Sequence, residues 1–171
     1  MKASDFAALV PGSCSEVLDT MYFTTVLAVT QTEGKVQAEQ TECSVEAVAA
    51  DTTLQPEALF FSLRFAGDIS GRFGLHTDAA VARTLASNFL GEEESGVSVT
   101  EVGEVVGELT NMLCGSVMSR VKTTRTFSLS HPEPIAALPN PATADMLVSR
   151  FDTDAGAITT WLIVDGDQCP S

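Results

Sequence analysis

Two polar residues, Glu108 and Asn111, lie three positions apart in a proline-free stretch of the sequence. On a helix, this spacing places both side chains on one face. The amide of Asn111 offers an acceptor oxygen and two donors, so it can hold a water molecule in line with a phosphoryl group without adding negative charge. A glutamate one turn earlier can bind a lysine of a partner protein and fix the register of docking. The pair therefore suits hydrolysis of an acyl phosphate on a docked partner, although such a Glu and Asn most often form only a polar helix face.

The stretch 98–122 has the pattern of one long amphipathic helix, which Ser98 or Thr100 can cap. One side, predicted to be buried, collects the large apolar residues at helical spacing: Val102, Val105, Val106, Leu109, Met112, Leu113 and Val117. The opposite side, predicted to face solvent or a partner, collects Glu104, Glu108, Asn111, Gly115 and Lys122. We therefore expect Glu108 and Asn111 to be exposed, and Leu109 and Met112 to be buried.

Two glycines, Gly107 and Gly115, lie inside this predicted helix. Each costs about 1 kcal/mol of helix stability relative to alanine, so some contact must favour a residue without a side chain. Close approach of a partner backbone is one explanation, and tight packing against the chain's own sheet is the other. The sequence supports both equally.

The segments before and after this stretch predict the elements that must position it. Ser13 or Ser15 can cap a first helix with an apolar stripe of Val17, Leu18, Met21 and Tyr22. Residues 30–57 are polar and lack periodicity, which indicates a long connection or insertion. Two pairs of extended segments predict β-hairpins, whose strands are Leu59–Phe65 with Gly71–His76 and Met146–Phe151 with Ile158–Val164. In the first hairpin, we expect Gly67 and Gly71 to supply the positive φ of a tight turn.

Between the hairpins, Asp78 opens and Gly91 closes a second helical pattern. Thr126–Ser130 predicts a further strand, and residues 131–144 form a proline-rich loop. Strand runs interleaved with helices in this order indicate an α+β fold with long helices packed on a mostly antiparallel sheet.

The composition predicts one domain over residues 1–171, because 44% hydrophobic residues in a chain of this length can bury a core. The net charge of −14 argues against a nucleic-acid partner and suits a basic protein surface. No stretch has the pattern of a signal peptide or of a membrane span. We therefore expect a cytoplasmic protein that does not associate with membranes.

The remaining candidate site residues favour neither metal binding nor a conventional hydrolase. The four cysteines are scattered without a CxxC pair and lie far from either histidine, so neither zinc nor a disulfide framework is indicated. Cys114 and Ser116 lie within the long helix, outside any nucleophile elbow. The aspartates at 152–154 and 165–167 lack the terminal Glu of a calcium loop and are typical of turns.

The long helix resembles the active-site helix of the CheC, CheX and FliY phosphatase family. The family motif runs from Asp or Ser through three residues to Glu, through two more to Asn, and then to a distant Pro. Glu108, Asn111 and Pro134 match it in type and spacing, with 22 residues between Asn111 and Pro134. Glu104 stands where the family has Asp or Ser. The stretch Phe127–Pro134 is also similar to the strand and proline that follow the family's helix, and the element order over 58–165 is similar to its domain.

The resemblance implies a CheX-like aspartyl-phosphate phosphatase that acts on a phosphorylated CheY-like response regulator. It implies Glu108 and Asn111 as catalytic residues, and partner contacts at Glu104, Gly107, Gly115 and Pro134. It also implies magnesium bound by the partner's receiver domain, with no cofactor bound by this chain, and often a homodimer.

CheC-type members carry the Glu and Asn pair on two pseudo-symmetric helices, whereas the first helix here carries Glu16 and Asp19. A carboxylate facing a phosphoryl group is repelled and lacks the donors of an amide, so we expect no second site. One intact pair per chain is the CheX pattern. The alternative to a phosphatase is a non-catalytic module that binds receivers, related to the flagellar switch proteins, which share the fold without the pair.

Overall fold

Seven strands form one antiparallel sheet in the computed structural model, which describes residues 2–33, 57–124, 126–139 and 146–165. The strands are β1 (Val26–Glu33), β2 (Ala58–Ala66), β3 (Ser70–Asp78), β4 (Ser128–Leu129), β5 (Glu133–Pro134), β6 (Met146–Thr153) and β7 (Gly156–Val164). Their order is β1–β6–β7–β3–β2, and both β4 and β5 pair with the outer edge of β2. Because every described pairing is antiparallel, the predicted sheet type is confirmed.

Three helices, α1 (Val10–Tyr22), α2 (Ala79–Leu90) and α3 (Val99–Ser119), complete the predicted α+β fold, and a short 3₁₀ turn precedes them. The cap at Ser98 is confirmed, because its hydroxyl accepts a hydrogen bond from the backbone of Glu101 at 3.2 Å while the Glu101 carboxylate accepts from the backbone of Ser98 at 2.8 Å. A hydrogen bond of 2.6 Å from the Ser98 hydroxyl to the Glu101 carboxylate, together with the one from the Ser98 backbone, holds the pKa of Glu101 below its usual value. Gly91 ends α2 in the left-handed conformation, as predicted.

Two helix boundaries differ from the prediction. α1 begins at Val10 with Pro11 in its first turn, so Ser13 lies buried inside the helix instead of capping it. α3 ends at Ser119, three residues before Lys122, which is exposed beyond the helix. The second error arose because neither Gly nor Pro lies between Ser119 and Lys122 to mark the end of the helix.

Both predicted hairpins are confirmed, but the reason for glycine in the first one is different. Neither Gly67 nor Gly71 has a positive φ. Gly71 is buried, and a Cβ there would lie 2.1 Å from the carbonyl oxygen of Ile163 on β7. Glycine is therefore required by the neighbouring strand, which the sequence could not place beside it.

The predicted connection 30–57 is partly wrong, because residues 30–33 belong to the edge strand β1, which pairs with β6. Residues 34–56 of that prediction lie outside the described residues. The predicted strand Thr126–Ser130 shortens to the two residues of β4, and β5 lies within the predicted loop 131–144. The one-domain prediction over 1–171 stays a prediction.

The three helices pack on one face of the sheet and form one hydrophobic core with it. From α3, Val106, Leu109 and Leu113 are fully buried against that face. Met112, predicted to be buried, is only partly so. Its sulfur lies 3.9 Å from the hydroxyl of Tyr22 on α1. The apolar side of α3 thus holds the helix against the sheet and turns its polar side outward.

Candidate functional site

An open groove of about 670 Å³ runs between the outward side of α3 and the segment that joins β4 to β5. The wall formed by α3 consists of Val99, Thr100, Gly103, Glu104, Gly107, Glu108 and Asn111. The facing wall consists of Leu129, Ser130, His131, Pro132 and Pro134, with Phe61 of β2 between the two walls. The groove collects five of the six site residues that the sequence predicts.

The polar groups of the helical wall are available for binding. Glu104 and Glu108 are exposed, and Asn111 is partly exposed. In the described part of the chain, the Asn111 amide has no hydrogen-bond partner, and neither carboxylate forms an ion pair or a hydrogen bond. Asn111 can therefore offer both its donors and its acceptor to a molecule in the groove.

The facing wall is held in place by β2. Phe65 of β2 pairs with Leu129 of β4, and Phe61 pairs with Pro134 of β5. Between these two short pairings, Ser130 stays hydrogen-bonded to Arg64 of β2, and residues 130–132 line the groove. Proline suits this position because it donates no backbone hydrogen bond and is tolerated at the edge of a sheet.

Tyr22 of α1 supports the helical wall from beneath. The ring is fully buried, and its hydroxyl donates a hydrogen bond of 3.4 Å to the carbonyl of Val105. Burial, and to a smaller degree the charge of Glu108, raise the pKa of Tyr22 well above its usual value. Tyr22 therefore stays neutral and positions the turn of α3 that carries Glu108. The sequence indicated only that Tyr22 lies on the apolar stripe of its helix.

The glycines of α3 meet different surroundings. A Cβ on Gly107 would lie 3.4 Å from the Phe61 ring, which agrees with packing against the chain's own sheet. A Cβ on Gly115 would lie 3.8 Å from a methyl group of Leu129, an ordinary contact that alanine could make. A Cβ on Gly103 would meet no atom within 4 Å. Internal packing thus accounts best for glycine at position 107 and least at 103.

Gly115 is the predicted site residue that the groove does not include. It lies beside a smaller cavity of about 290 Å³ near the end of α3, together with Met118, Val121 and Phe127. Leu129 contributes to both cavities, so Gly115 lies next to the groove without lining it.

Half of the groove residues that sequence reasoning missed lie on the facing wall. Ser130, His131 and Pro132 belong to the stretch that resembles the family's strand, but no spacing rule links them to a helix some twenty residues earlier. For Phe61, the sequence predicted only a buried position on a strand. Among the missed groove residues, Gly103 was the one with a detectable sequence signal, because it is a glycine inside the predicted helix one turn before Gly107.

The corresponding surface of α1 has a different electrostatic arrangement. Glu16 and Asp19 are exposed beside a shallow depression of about 530 Å³ between α1 and β1. Glu16 forms an ion pair with Arg120, so its carboxylate is already engaged. Asp19 has a carboxylate where Asn111 has an amide, in agreement with the sequence comparison of the two helices.

The described residues include no group of three or more His, Cys, Asp or Glu side chains that could hold a metal ion. Within the same ranges, none of the helices combines the length and apolar character needed to cross a membrane.

The sequence model of the family described as chemotaxis phosphatase CheX matches residues 61–145, which include the whole of α3 and the facing wall. No curated protein matches the sequence significantly. Solved structures with the same fold include CheX of Desulfovibrio desulfuricans, at 15% identity and a TM-score of 0.66 over 94% of this chain and 99% of that one. CheX of Vibrio vulnificus has 17% identity and a TM-score of 0.65 over 94% and 97%.

A third structure is the CheX–CheY–BeF3–Mg complex of Borrelia burgdorferi, with 16% identity and a TM-score of 0.65 over 94% of this chain and 97% of that one. At these identities, the structural likeness concerns the fold, whereas the family match rests on the sequence itself. Together with the Glu108 and Asn111 motif, these findings show that the chain is a CheX-like member of the CheC, CheX and FliY family.

Proposed function

We propose that this protein dephosphorylates the phosphoaspartate of a CheY-like response regulator that docks along the groove. Asn111 enters the partner's active site and holds the attacking water in line with the phosphoryl group. Glu108 binds a lysine of the partner and keeps the amide in register. The magnesium ion that neutralises the phosphoryl oxygens is bound by the receiver, and this chain contributes no cofactor.

The observation that carries the proposal is the unbonded amide of Asn111 beside the free carboxylate of Glu108, on the exposed side of a rigid helix. A fully buried Asn would normally be bonded within its own chain, whereas Asn111 is partly exposed and has no hydrogen-bond partner among the described residues. Two further observations support a phosphoryl-bearing receiver as partner. The family model is described as a chemotaxis phosphatase, and the related protein of Borrelia burgdorferi forms a complex with CheY.

The partner contacts follow from the groove. Glu104 adds a second carboxylate one turn before Glu108, which favours a receiver whose docking face is basic. Pro134 and Gly107 lie on opposite walls of the groove and are the partner contacts that we propose there. Gly115 allows close approach at the adjoining end of the helix. Receivers of this kind act in the cytoplasm, where we expect this chain to work.

The alternative function is a receiver-binding module without catalysis. A dephosphorylation assay separates the two functions, with a receiver charged by acetyl phosphate and the loss of phosphoaspartate followed over time. We expect the wild-type chain to accelerate hydrolysis and Asn111→Ala to bind the receiver without accelerating it. A wild-type chain that binds the receiver but leaves the rate of hydrolysis unchanged would leave only the binding module. Equal acceleration by the wild-type chain and by Asn111→Ala would show that Asn111 does not position the water.

The edge strand β1 supports the proposal of a homodimer. Its outer edge is unpaired in the described residues, and it exposes Leu27 to 70% and Val29 to 36%. Such an edge can pair with the same strand of a second copy. Leu27→Lys should shift the protein to monomer in sedimentation experiments, whereas Leu138→Lys, at another exposed leucine, should not. A wild-type protein that is monomeric at high concentration would contradict the dimer but not the phosphatase.

A further inference from the structure

A pair of arginines lies on the face of the sheet opposite the helices. Arg64 of β2 and Arg72 of β3 are direct partners in the antiparallel register, and both are exposed. Their strand neighbours Leu63, Phe65 and Phe73 are buried beneath the helices, so alternation along the strands turns both arginines to the other face. Directly opposite residues have Cβ atoms about 4.5–5.5 Å apart, which keeps two positive charges close together.

Within the described residues, no acidic side chain neutralises these two arginines, although the chain is rich in acidic residues. The sequence has 23 acidic and 9 basic residues, yet within the described ranges neither guanidinium has an ion pair or a side-chain hydrogen bond. Arg150, on the same face of β6, is paired with Asp152 at 3.0 Å. Asp165 follows β7 on this face but forms no ion pair with Arg72.

Like charges directly opposite each other destabilise a sheet, so the free chain gains nothing from this arrangement. Two guanidinium groups on neighbouring strands can, however, converge on one carboxylate through parallel hydrogen bonds. We propose that Arg64 and Arg72 form a docking site for an acidic segment of another protein, which places a carboxylate side chain between them. The net charge of −14 opposes a long polyanion such as nucleic acid, so the proposed occupant is a short segment that makes only local contacts with the two arginines.

The arginine pair is separate from the groove, although β2 contributes to both. The backbone of Arg64 is bonded to Ser130, with 2.8 Å from Ser130 N to Arg64 O and 2.9 Å from Arg64 N to Ser130 Oγ. Ser130 lines the groove on the helical side, whereas the Arg64 side chain projects to the opposite side. An acidic segment on the arginines therefore leaves the groove open for a receiver, and the two partners can bind together.

The experiment measures binding of a fluorescein-labelled hexaglutamate peptide by anisotropy at low ionic strength, with the full chain. We expect the wild-type protein to bind the peptide and added salt to weaken the complex. The double variant Arg64→Gln, Arg72→Gln should lose at least about tenfold in affinity, because each guanidinium supplies charge-assisted hydrogen bonds. Arg150→Gln is the matched control on the same face, and it should change the affinity less than twofold, since that arginine is already paired.

A second variant tests whether a loss of peptide binding could come from misfolding. Arg72→Glu should abolish peptide binding and raise the melting temperature, because it replaces like charges with an opposite pair across the strands. Peptide binding that is absent from the wild type, or equally reduced by Arg150→Gln, would overturn the proposal. Inorganic phosphate that binds with the same dependence on both arginines, while the peptide does not, would overturn it in favour of a small-anion site.

Discussion

α1 and α3 present two carboxyl-bearing surfaces that look alike in sequence and differ in what they can bind. Both carry a glutamate followed three residues later by a second polar residue. On α3, Glu108 and Asn111 are unpaired and face a groove with a second wall. On α1, Glu16 is engaged by Arg120, and Asp19 faces the depression beside β1. Spacing alone therefore does not make a site, because the availability of the carboxylate and the type of the second residue decide what the surface can bind.

The largest expected effect is that of making α3 resemble α1 at its second position. Asn111→Asp keeps the size of the side chain but brings negative charge beside the phosphoryl group and removes the donors. We expect the dephosphorylation rate to fall by about 100-fold or more, at least as far as with Asn111→Ala. Rates measured with a saturating amount of each variant test this. Higher activity with aspartate than with alanine would mean that position 111 acts as a base and does not position water.

The next largest effect is expected from removal of the free carboxylate of Glu108. Removal of Glu108 should weaken receiver binding by about 2 kcal/mol, which is roughly 30-fold in Kd, and should slow turnover as well. Calorimetric titration of Glu108→Ala and Glu108→Gln against a receiver carrying beryllofluoride checks it. Glu16→Gln on α1 is the matched control and should leave the affinity unchanged. Equal losses of receiver affinity at positions 108 and 16 would show that α1 and α3 do not differ in receiver binding.

A smaller effect separates the two explanations for Gly115. Alanine there makes only an ordinary contact with Leu129, so Gly115→Ala should raise the free energy of unfolding by about 1 kcal/mol. If glycine is present for the partner, the same change lowers receiver affinity. Urea denaturation and affinity measurement on one preparation decide between them. A more stable protein with unchanged affinity would remove Gly115 from the partner contacts.

The smallest effect is expected on α1. Asp19→Ala should leave dephosphorylation within about twofold of the wild type, because a carboxylate cannot take the role of the amide. As a sharper test, Asp19→Asn in the Asn111→Ala background should not restore activity, since Arg120 still holds Glu16. Restored activity in that double variant would show that α1 needs only the amide to become a second site.

The parts of the fold that could be predicted are those with a local signal. The cap at Ser98, the apolar spacing of α3 and the two hairpins all follow from residues a few positions apart. The strand β1 was missed because it is an exposed edge, where Leu27 and Val29 do not alternate with polar residues as a half-buried strand would. Gly71 was correctly placed at the hairpin but for the wrong reason, since its neighbour Ile163 is ninety-two positions away.

Local sequence alone predicts that α3 is a helix with a polar side that carries Glu108 and Asn111, because helical periodicity depends only on nearby residues. The placement of residues 129–134 opposite this helix could be seen only in the folded structure. The same holds for the ion pair between Arg120 and Glu16, which lie 104 positions apart. Strand register and long-range ion pairs result from the packing of the whole core. The second wall of the groove and the engagement of Glu16 by Arg120 could therefore be seen only in the folded chain.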